Sequence, residues 1–139
     1  ILCVGESQAE RESNDTESVL SHQVLTDLAE IHSDDLDKIV VAYEPVWAIG
    51  TGLTASPEQA QEACEFIRSL LRTRDSEKAE QVRILYGGSV KPGNAAELLG
   101  SWRSKDGFDG LAQMANDADP NVRNAAAHSL CGEGQSFAG

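Results

Sequence analysis

Ile39-Val40-Val41-Ala42-Tyr43-Glu44-Pro45-Val46-Trp47-Ala48-Ile49-Gly50-Thr51-Gly52 is the stretch that decides the fold. Its first three residues are a near-continuous apolar run, the pattern of a parallel strand buried on both faces. An acid, Glu44, stands at the end of that strand, where an unpaired buried carboxylate would be costly. Pro45 ends the strand at once. Gly50 and Gly52 then bracket Thr51, which gives a loop able to change shape and to bring backbone N–H groups close to an anion. In a βα-barrel, catalytic residues sit at the C-terminal ends of the strands, beside such loops. For Glu44 taken alone, a solvated or salt-bridged residue is the plain alternative.

On the N-terminal side, Ile1 to Val4 reads as a short strand ended by Gly5-Glu6-Ser7, and an acidic stretch Glu10-Arg11-Glu12 follows. Leu20, Val24, Leu28 and Ile31 recur at helical spacing and predict an amphipathic helix from about Thr16 to His32, with Ser33-Asp34-Asp35 as a loop. On the C-terminal side, Ser56-Pro57-Glu58-Gln59 is a helix start: Ser56 can cap, Pro57 suits the first helical position, and Gln59 can complete a capping box. Ala60, Ala63, Cys64, Ile67, Leu70 and Leu71 make its apolar face, and arginines lie near its negative end at Arg72 or Thr73. Val82 to Tyr86 predicts a third strand, ended by Gly87-Gly88-Ser89, and Lys91-Pro92-Gly93-Asn94 leads into a short helix ending at Leu99-Gly100. Strands alternating with helices predict an α/β fold with a parallel sheet and right-handed crossovers.

After Gly100 the pattern changes to a helical tail over residues 101–139. Pro120 opens a run with Ala125-Ala126-Ala127 and Leu130, and Gly132 lies near its end. The string Asp117-Ala118-Asp119-Pro120-Asn121-Val122-Arg123 with its alanines resembles the second half of a HEAT-type helical repeat. One such unit cannot bury its own apolar face, and an ordinary amphipathic helix fits as well.

The chain has 139 residues, room for one modest domain but short of the roughly 250 residues of a complete eightfold βα-barrel. Its net charge of -12, with no Lys/Arg cluster, argues against nucleic acid or an anionic membrane as partner. No apolar run approaches the roughly 18 residues of a membrane span. The opening Ile1-Leu2-Cys3-Val4-Gly5 lacks an initiator Met and signal-peptide features, and reads as a strand entered part-way through a protein. Cys3, Cys64 and Cys131 are odd in number and lack metal-ligand spacing, so reduced thiols in a cytoplasmic protein are expected.

The string Ala42 to Gly52 closely resembles the catalytic-base and lid segment of the triosephosphate isomerase family. The resemblance covers about residues 1–100 and implies a partial TIM (β/α)8 barrel. Ile-Leu-Cys-Val-Gly-Glu looks like its fifth strand, the Tyr43-Glu44 strand like its sixth, and Ile-Leu-Tyr-Gly-Gly-Ser-Val like its seventh. It further implies glycolytic and gluconeogenic interconversion of dihydroxyacetone phosphate and glyceraldehyde 3-phosphate, with no metal or organic cofactor. Glu44 matches the base, a role a carboxylate suits because it can take a proton from one carbon and return it at the next. Both the glutamate base and the closing loop come over with the family. Gly50 and Ser89 match backbone N–H donors to the substrate phosphate. Trp47 and Glu6 match a pair in contact when the lid is open, Tyr86 and Ser89 residues that hold it shut, and Thr51 and Gly52 lie in the lid itself. Simple packing is the alternative for Tyr86 and Trp47, and a tight turn for Gly87-Gly88.

The departures are equally specific. The family also uses a lysine and an electrophilic histidine from the first half of the barrel, and His22, His32 and His128 match neither. Asp106-Gly107-Phe108-Asp109-Gly110-Leu111 begins where the eighth strand should come, then leaves the pattern before the family's diglycine. The family homodimer is not supported by this stretch, because its interlocking loop would lie in the first half. The expectation is therefore a C-terminal piece of such an isomerase, inactive alone, joined to a foreign tail. The rivals are a non-catalytic module whose tail binds another protein, and a different phosphate-binding barrel enzyme.

Overall fold

In the computed structural model, residues 1–90 are described together with Asn94, Ala95, Leu98 and Pro120. The chain divides into two compact units, one of Ile1–Ala55 and Glu62–Ser89, the other of Ser56–Gln61 and Val90–Gly139.

The first unit holds a parallel sheet. Strand β1 spans Leu2–Val4, helix α1 Gln8–Glu12, helix α2 Thr16–Asp27, strand β2 Val40–Tyr43, helix α3 Pro57–Arg72, helix α4 Ser76–Ala79 and strand β3 Arg83–Tyr86. Short 3₁₀ turns cover Ser33–Lys38 and Val46–Ala48. The strand order is β1-β2-β3, with both pairs parallel. The register aligns Leu2, Val41 and Ile84 in one row and Val4, Tyr43 and Tyr86 in another. Alternation puts these rows on one face of the sheet. That face packs on Leu20, Val24 and Leu28 of the α2 segment, Leu36, Ala63, Ile67 and Leu71 of α3, and Ala79 and Val82. The tyrosine rings of Tyr43 and Tyr86 lie 6.2 Å apart within this core. The opposite face carries Cys3, Ala42 and Leu85, and Glu44 continues it by the same alternation.

Several boundaries move from expectation. The predicted Thr16–His32 helix ends at Asp27, because Ala29 and Ile31 bond only three residues back and Arg74 takes up carbonyls there. Ser33-Asp34-Asp35 is the start of a 3₁₀ turn and not an open loop, with the Asp35 N–H bonded to the His32 carbonyl at 2.9 Å. The acidic stretch Glu10-Arg11-Glu12 is the end of α1. Its cause is a capping box: Ser7 Oγ accepts from Glu10 N–H at 3.4 Å, and the Glu10 carboxylate accepts from Ser7 N–H at 2.7 Å. Those bonds from Ser7 hold the Glu10 carboxyl below the usual carboxylate range.

In the second unit, Ser56 and Gln59 form the predicted capping box at the start of α3, with bonds of 2.9 and 3.2 Å. Asn94, Ala95 and Leu98 are helical, as expected of the short helix after Pro92. The rest of that helix, the eighth-strand stretch from Asp106, His128 and the repeat-like tail lie outside the described residues.

Candidate active site

Glu44 follows directly on β2, and its backbone keeps the sheet going beyond the strand ends. Its N–H donates to the Val4 carbonyl at 2.7 Å, and the Gly87 N–H donates to the Tyr43 carbonyl at 2.7 Å. Glycines flank it on both neighbouring strands. A Cβ at Gly5 would lie 1.8 Å from the Glu44 carbonyl oxygen, and a Cβ at Gly87 would lie 2.7 Å from Glu44 Cγ. Only a residue without a side chain lets those strands close on Glu44. Gly5 is itself clamped by Gln23 of α2, whose amide accepts from its N–H at 2.9 Å and donates to its carbonyl at 3.1 Å. The thiol of Cys3 also faces Glu44, and its pKa is raised chiefly by a hydrogen bond to that carboxylate. Glu44 thus stands half-buried just beyond the C-terminal end of the central strand, closely flanked by Gly5 and Gly87.

Glu6, past the end of β1, is the one buried charged side chain among the described residues, fully shielded from solvent. Four donor contacts satisfy it. Tyr43 O–H reaches both carboxylate oxygens at 3.0 and 3.1 Å, Arg11 Nη1 donates at 2.9 Å, and Trp47 Nε1–H donates at 2.8 Å. Burial, and then the charge of Glu6, push the Tyr43 hydroxyl well above its ordinary pKa, so it remains a donor. The structure therefore brings the predicted pair Trp47 and Glu6 into direct contact.

The glycine loop follows from Trp47. Gly50 and Gly52 both have positive φ, 71° and 86°, which only glycine adopts cheaply. Thr51 Oγ1 donates to the Trp47 carbonyl at 2.7 Å and accepts from Leu53 N–H at 3.3 Å, so the loop is folded on itself. Its apolar residues Val46, Ile49 and Leu53 are exposed. Ser89 reaches the base of this loop: its hydroxyl donates to the Ala48 carbonyl at 2.7 Å and its N–H to the same oxygen at 3.2 Å. The Tyr86 hydroxyl is buried without a hydrogen bond of good geometry, and a Cβ at Gly88 would lie 2.2 Å from it. Burial raises its pKa, and the backbone of Ala55 acts in the opposite sense. Gly88 thus makes room for a tyrosine aimed at the far end of the loop.

Sequence reasoning missed Arg11, Tyr43 and Cys3 as members of the site, and Gly5 and Gly87 as its spacers. The Ser7-x-x-Glu10 capping box could have placed Arg11 on a helix beside Glu6. Nothing local marks Gly5 or Gly87, whose neighbour is Glu44 on another strand. His22 and His32 are exposed, in line with solvated residues. Among the described residues no group of three or more His, Cys, Asp or Glu could hold a metal ion. Among them, too, no helix is long and apolar enough to cross a membrane. Cys3 and Cys64 are free thiols, and burial pushes Cys64 up to about 12.

A parallel βα sheet with a carboxylate just beyond its central strand, beside a glycine-containing loop, is the arrangement in which TIM-barrel proteins build their strand-end sites. Comparison with known sequences gives the family. The triosephosphate isomerase family profile matches residues 1–114. The isomerase of Trichlorobacter lovleyi is 58% identical over 100 residues, covering 71% of this chain and 40% of the relative. That of Herminiimonas arsenicoxydans is 54% identical over 99 residues, again 71% and 40%. That of Halorhodospira halophila is 48% identical over 128 residues, covering 91% of this chain and 51% of the relative. The chain belongs to the triosephosphate isomerase family. It spans about half the length, or less, of the curated relatives it matches.

Proposed function

We propose that this chain carries the base and the lid of an isomerase that interconverts dihydroxyacetone phosphate and glyceraldehyde 3-phosphate. The observation that carries the reading is Glu44, held at a strand end with Gly5 packed against its backbone and Gly87 against its side chain. Its carboxylate takes the proton from the carbon beside the substrate carbonyl and delivers it to the former carbonyl carbon, while the hydroxyl proton passes from one oxygen to the other, so that ketose and aldose exchange with no net loss of atoms. Gly50 and Ser89 offer N–H groups to the phosphate. The Ser89 N–H is engaged by Ala48 as the loop now stands, so phosphate binding requires the loop to move. Trp47, Thr51 and Gly52 belong to the moving segment, Glu6 holds it open through Trp47, and Tyr86 receives it when shut.

The three strands correspond to strands five to seven of a barrel, residues 1–100 forming its partial wall and residues 101–139 a helical tail of one HEAT-like unit. The change of pattern after Gly100 supports that division, although the family profile runs on to residue 114. Limited proteolysis with mass mapping tests it: cleavage clustering near residue 100 is expected, and a first cut inside 1–90 counts against it.

Residues 1–139 alone are expected to be inactive, because the family's lysine and electrophilic histidine find no match in them. A preorganised electrostatic donor is often the largest contributor to rate, and loss of one costs about 10²–10³. The purified chain should be assayed alone and then with the first four barrel strands of a relative supplied in trans. Turnover in the mixture only is expected, and Glu44→Asp should reduce it about a hundredfold by drawing the carboxylate back on the order of 1 Å. A mixture that turns over equally well with Glu44→Asp would remove Glu44 from the role of base. Turnover by the chain alone would mean that another residue replaces the missing electrophile.

A further inference from the structure

Arg11 has no part in the roles assigned above, yet it touches two of their members. Its Nη1 donates to Glu6 Oε1 at 2.9 Å, the same oxygen that accepts from Trp47 Nε1–H at 2.8 Å. Its guanidinium carbon also lies 5.0 Å from the centre of the Trp47 ring. The indole is thus held at its polar edge by a carboxylate and on its face by the cation paired to that carboxylate. The Arg11 side chain is about one-quarter exposed, whereas that of Glu6 is wholly buried. A cation at this distance over an indole face is attracted by the ring quadrupole, more strongly as water is excluded. The planar guanidinium fork suits both tasks together, which the compact, heavily hydrated ammonium of lysine does not.

Trp47 is the root of the glycine loop. It lies two residues after Pro45 and three before Gly50, and its carbonyl accepts the Thr51 hydroxyl that folds the loop on itself. Whatever fixes the indole therefore fixes the loop in its present arrangement. Arg11 is set in place independently of that loop, on α1, by the Ser7–Glu10 capping box.

We propose that Arg11 is a positioning residue that latches the loop in this arrangement, acting through Glu6 and the Trp47 ring together. The proposal rests on the lid reading of the loop that carries Trp47, Thr51 and Gly52, and it adds that the latch is set from α1. When the indole leaves, the guanidinium keeps its bond to Glu6, so release of the loop does not strand a buried charge. Tyr43 adds its own bond to the same carboxylate, which keeps the acceptor site in place for the indole to return.

Trp47 emission in the full chain, in a Trp102→Phe background, tests this without any need for activity. Arg11→Met should lower the ratio of latched to released loop about tenfold, given the strength of cation–π and charge-assisted contacts. The signal is a red-shifted emission and faster acrylamide quenching. Arg11→Lys should recover only part of it, because the charge returns without the planar stack. Arg11→Met leaves Glu6 buried with one fewer partner and can fail to fold, so Glu6→Gln/Arg11→Met is the second arm. It has no buried charge and keeps an acceptor for the indole N–H, and its quenching should still exceed that of Glu6→Gln alone. A lower melting temperature with unchanged Trp47 emission and quenching would leave Arg11 a merely structural role and overturn the proposal. So would full recovery by Arg11→Lys. Failure of the lid reading shows differently, as a Trp47 signal in the reconstituted barrel that ignores a saturating substrate-like phosphate while still depending on Arg11.

Discussion

Gly5 and Gly87 flank the same glutamate, yet their substitution has different consequences. At Gly5 the intruding Cβ would meet the Glu44 backbone carbonyl, which the parallel strand pairing holds in place. Gly5→Ala must therefore push strands apart, at a cost of about 1–3 kcal/mol or more by analogy with overpacked cores. At Gly87 the intruder meets Cγ and the carboxyl group, which can swing aside. Gly87→Ala should change stability little but displace the carboxylate, and a shift on the order of 1 Å can reduce rate about a hundredfold. Denaturant midpoints of the chain and turnover of the reconstituted mixture separate the two effects. A Gly87→Ala protein with full turnover would show that Glu44 tolerates the intrusion. Neither glycine was legible as a spacer, because each is defined by a residue roughly forty positions away on a neighbouring strand. The place of Glu44 at a strand end was legible, because strand, acid, proline and glycines all fall within Ile39 to Gly52.

Among the elements, α3 and β2 follow from local signals. The Ser56–Gln59 box and Pro57 start α3 where expected, and the apolar run from Ile39 becomes β2. The end of α2 does not. Arg74, just beyond α3, donates Nη1 to the Leu28 carbonyl and Nη2 to the Ile31 carbonyl, each at 2.5 Å. Carbonyls at a helix C-terminus lack intrahelical partners, and here a distant side chain supplies them. This contact ties the turn after α2 to the end of α3 across more than forty residues. Arg74→Met removes both charge-assisted bonds and should cost about 1–3 kcal/mol, since the Ile31 carbonyl loses this partner and the Leu28 carbonyl keeps only the Ile31 N–H. Urea unfolding of the chain checks this. An unchanged midpoint would mean that water serves those carbonyls equally well.

For the whole molecule, the decisive feature is that, among the described residues, the main core cluster forms on one face of the sheet. Val4, Val41 and Tyr43 are buried against the helices, whereas Cys3 and Leu85 on the other face are exposed, Leu85 by 43%. Among the described residues β1 and β3 each have one neighbouring strand. Unpaired edges and apolar surface are templates for association. Residues 1–139 alone should self-associate with concentration in sedimentation equilibrium, and Leu85→Lys should weaken this. The first half of a barrel, added in trans, should compete it away. A monomer throughout, with or without the substitution, would show that these surfaces are already satisfied.

What could be read from the residues was whatever depends on near neighbours: the alternation of strands and helices, the start of α3, the acid at the strand end and the glycine loop. Each rests on bonds or periodicity spanning a few positions, so composition and order suffice. The α1 capping box belonged to the same class and was open to the same reasoning. Which donors converge on Glu6 was fixed only by the packed chain. Tyr43 and Trp47 lie 37 and 41 positions from it and reach it because parallel pairing brings the ends of β1 and β2 together. A buried carboxylate needs several partners at once, and their identity is a property of the register and not of any local stretch of sequence.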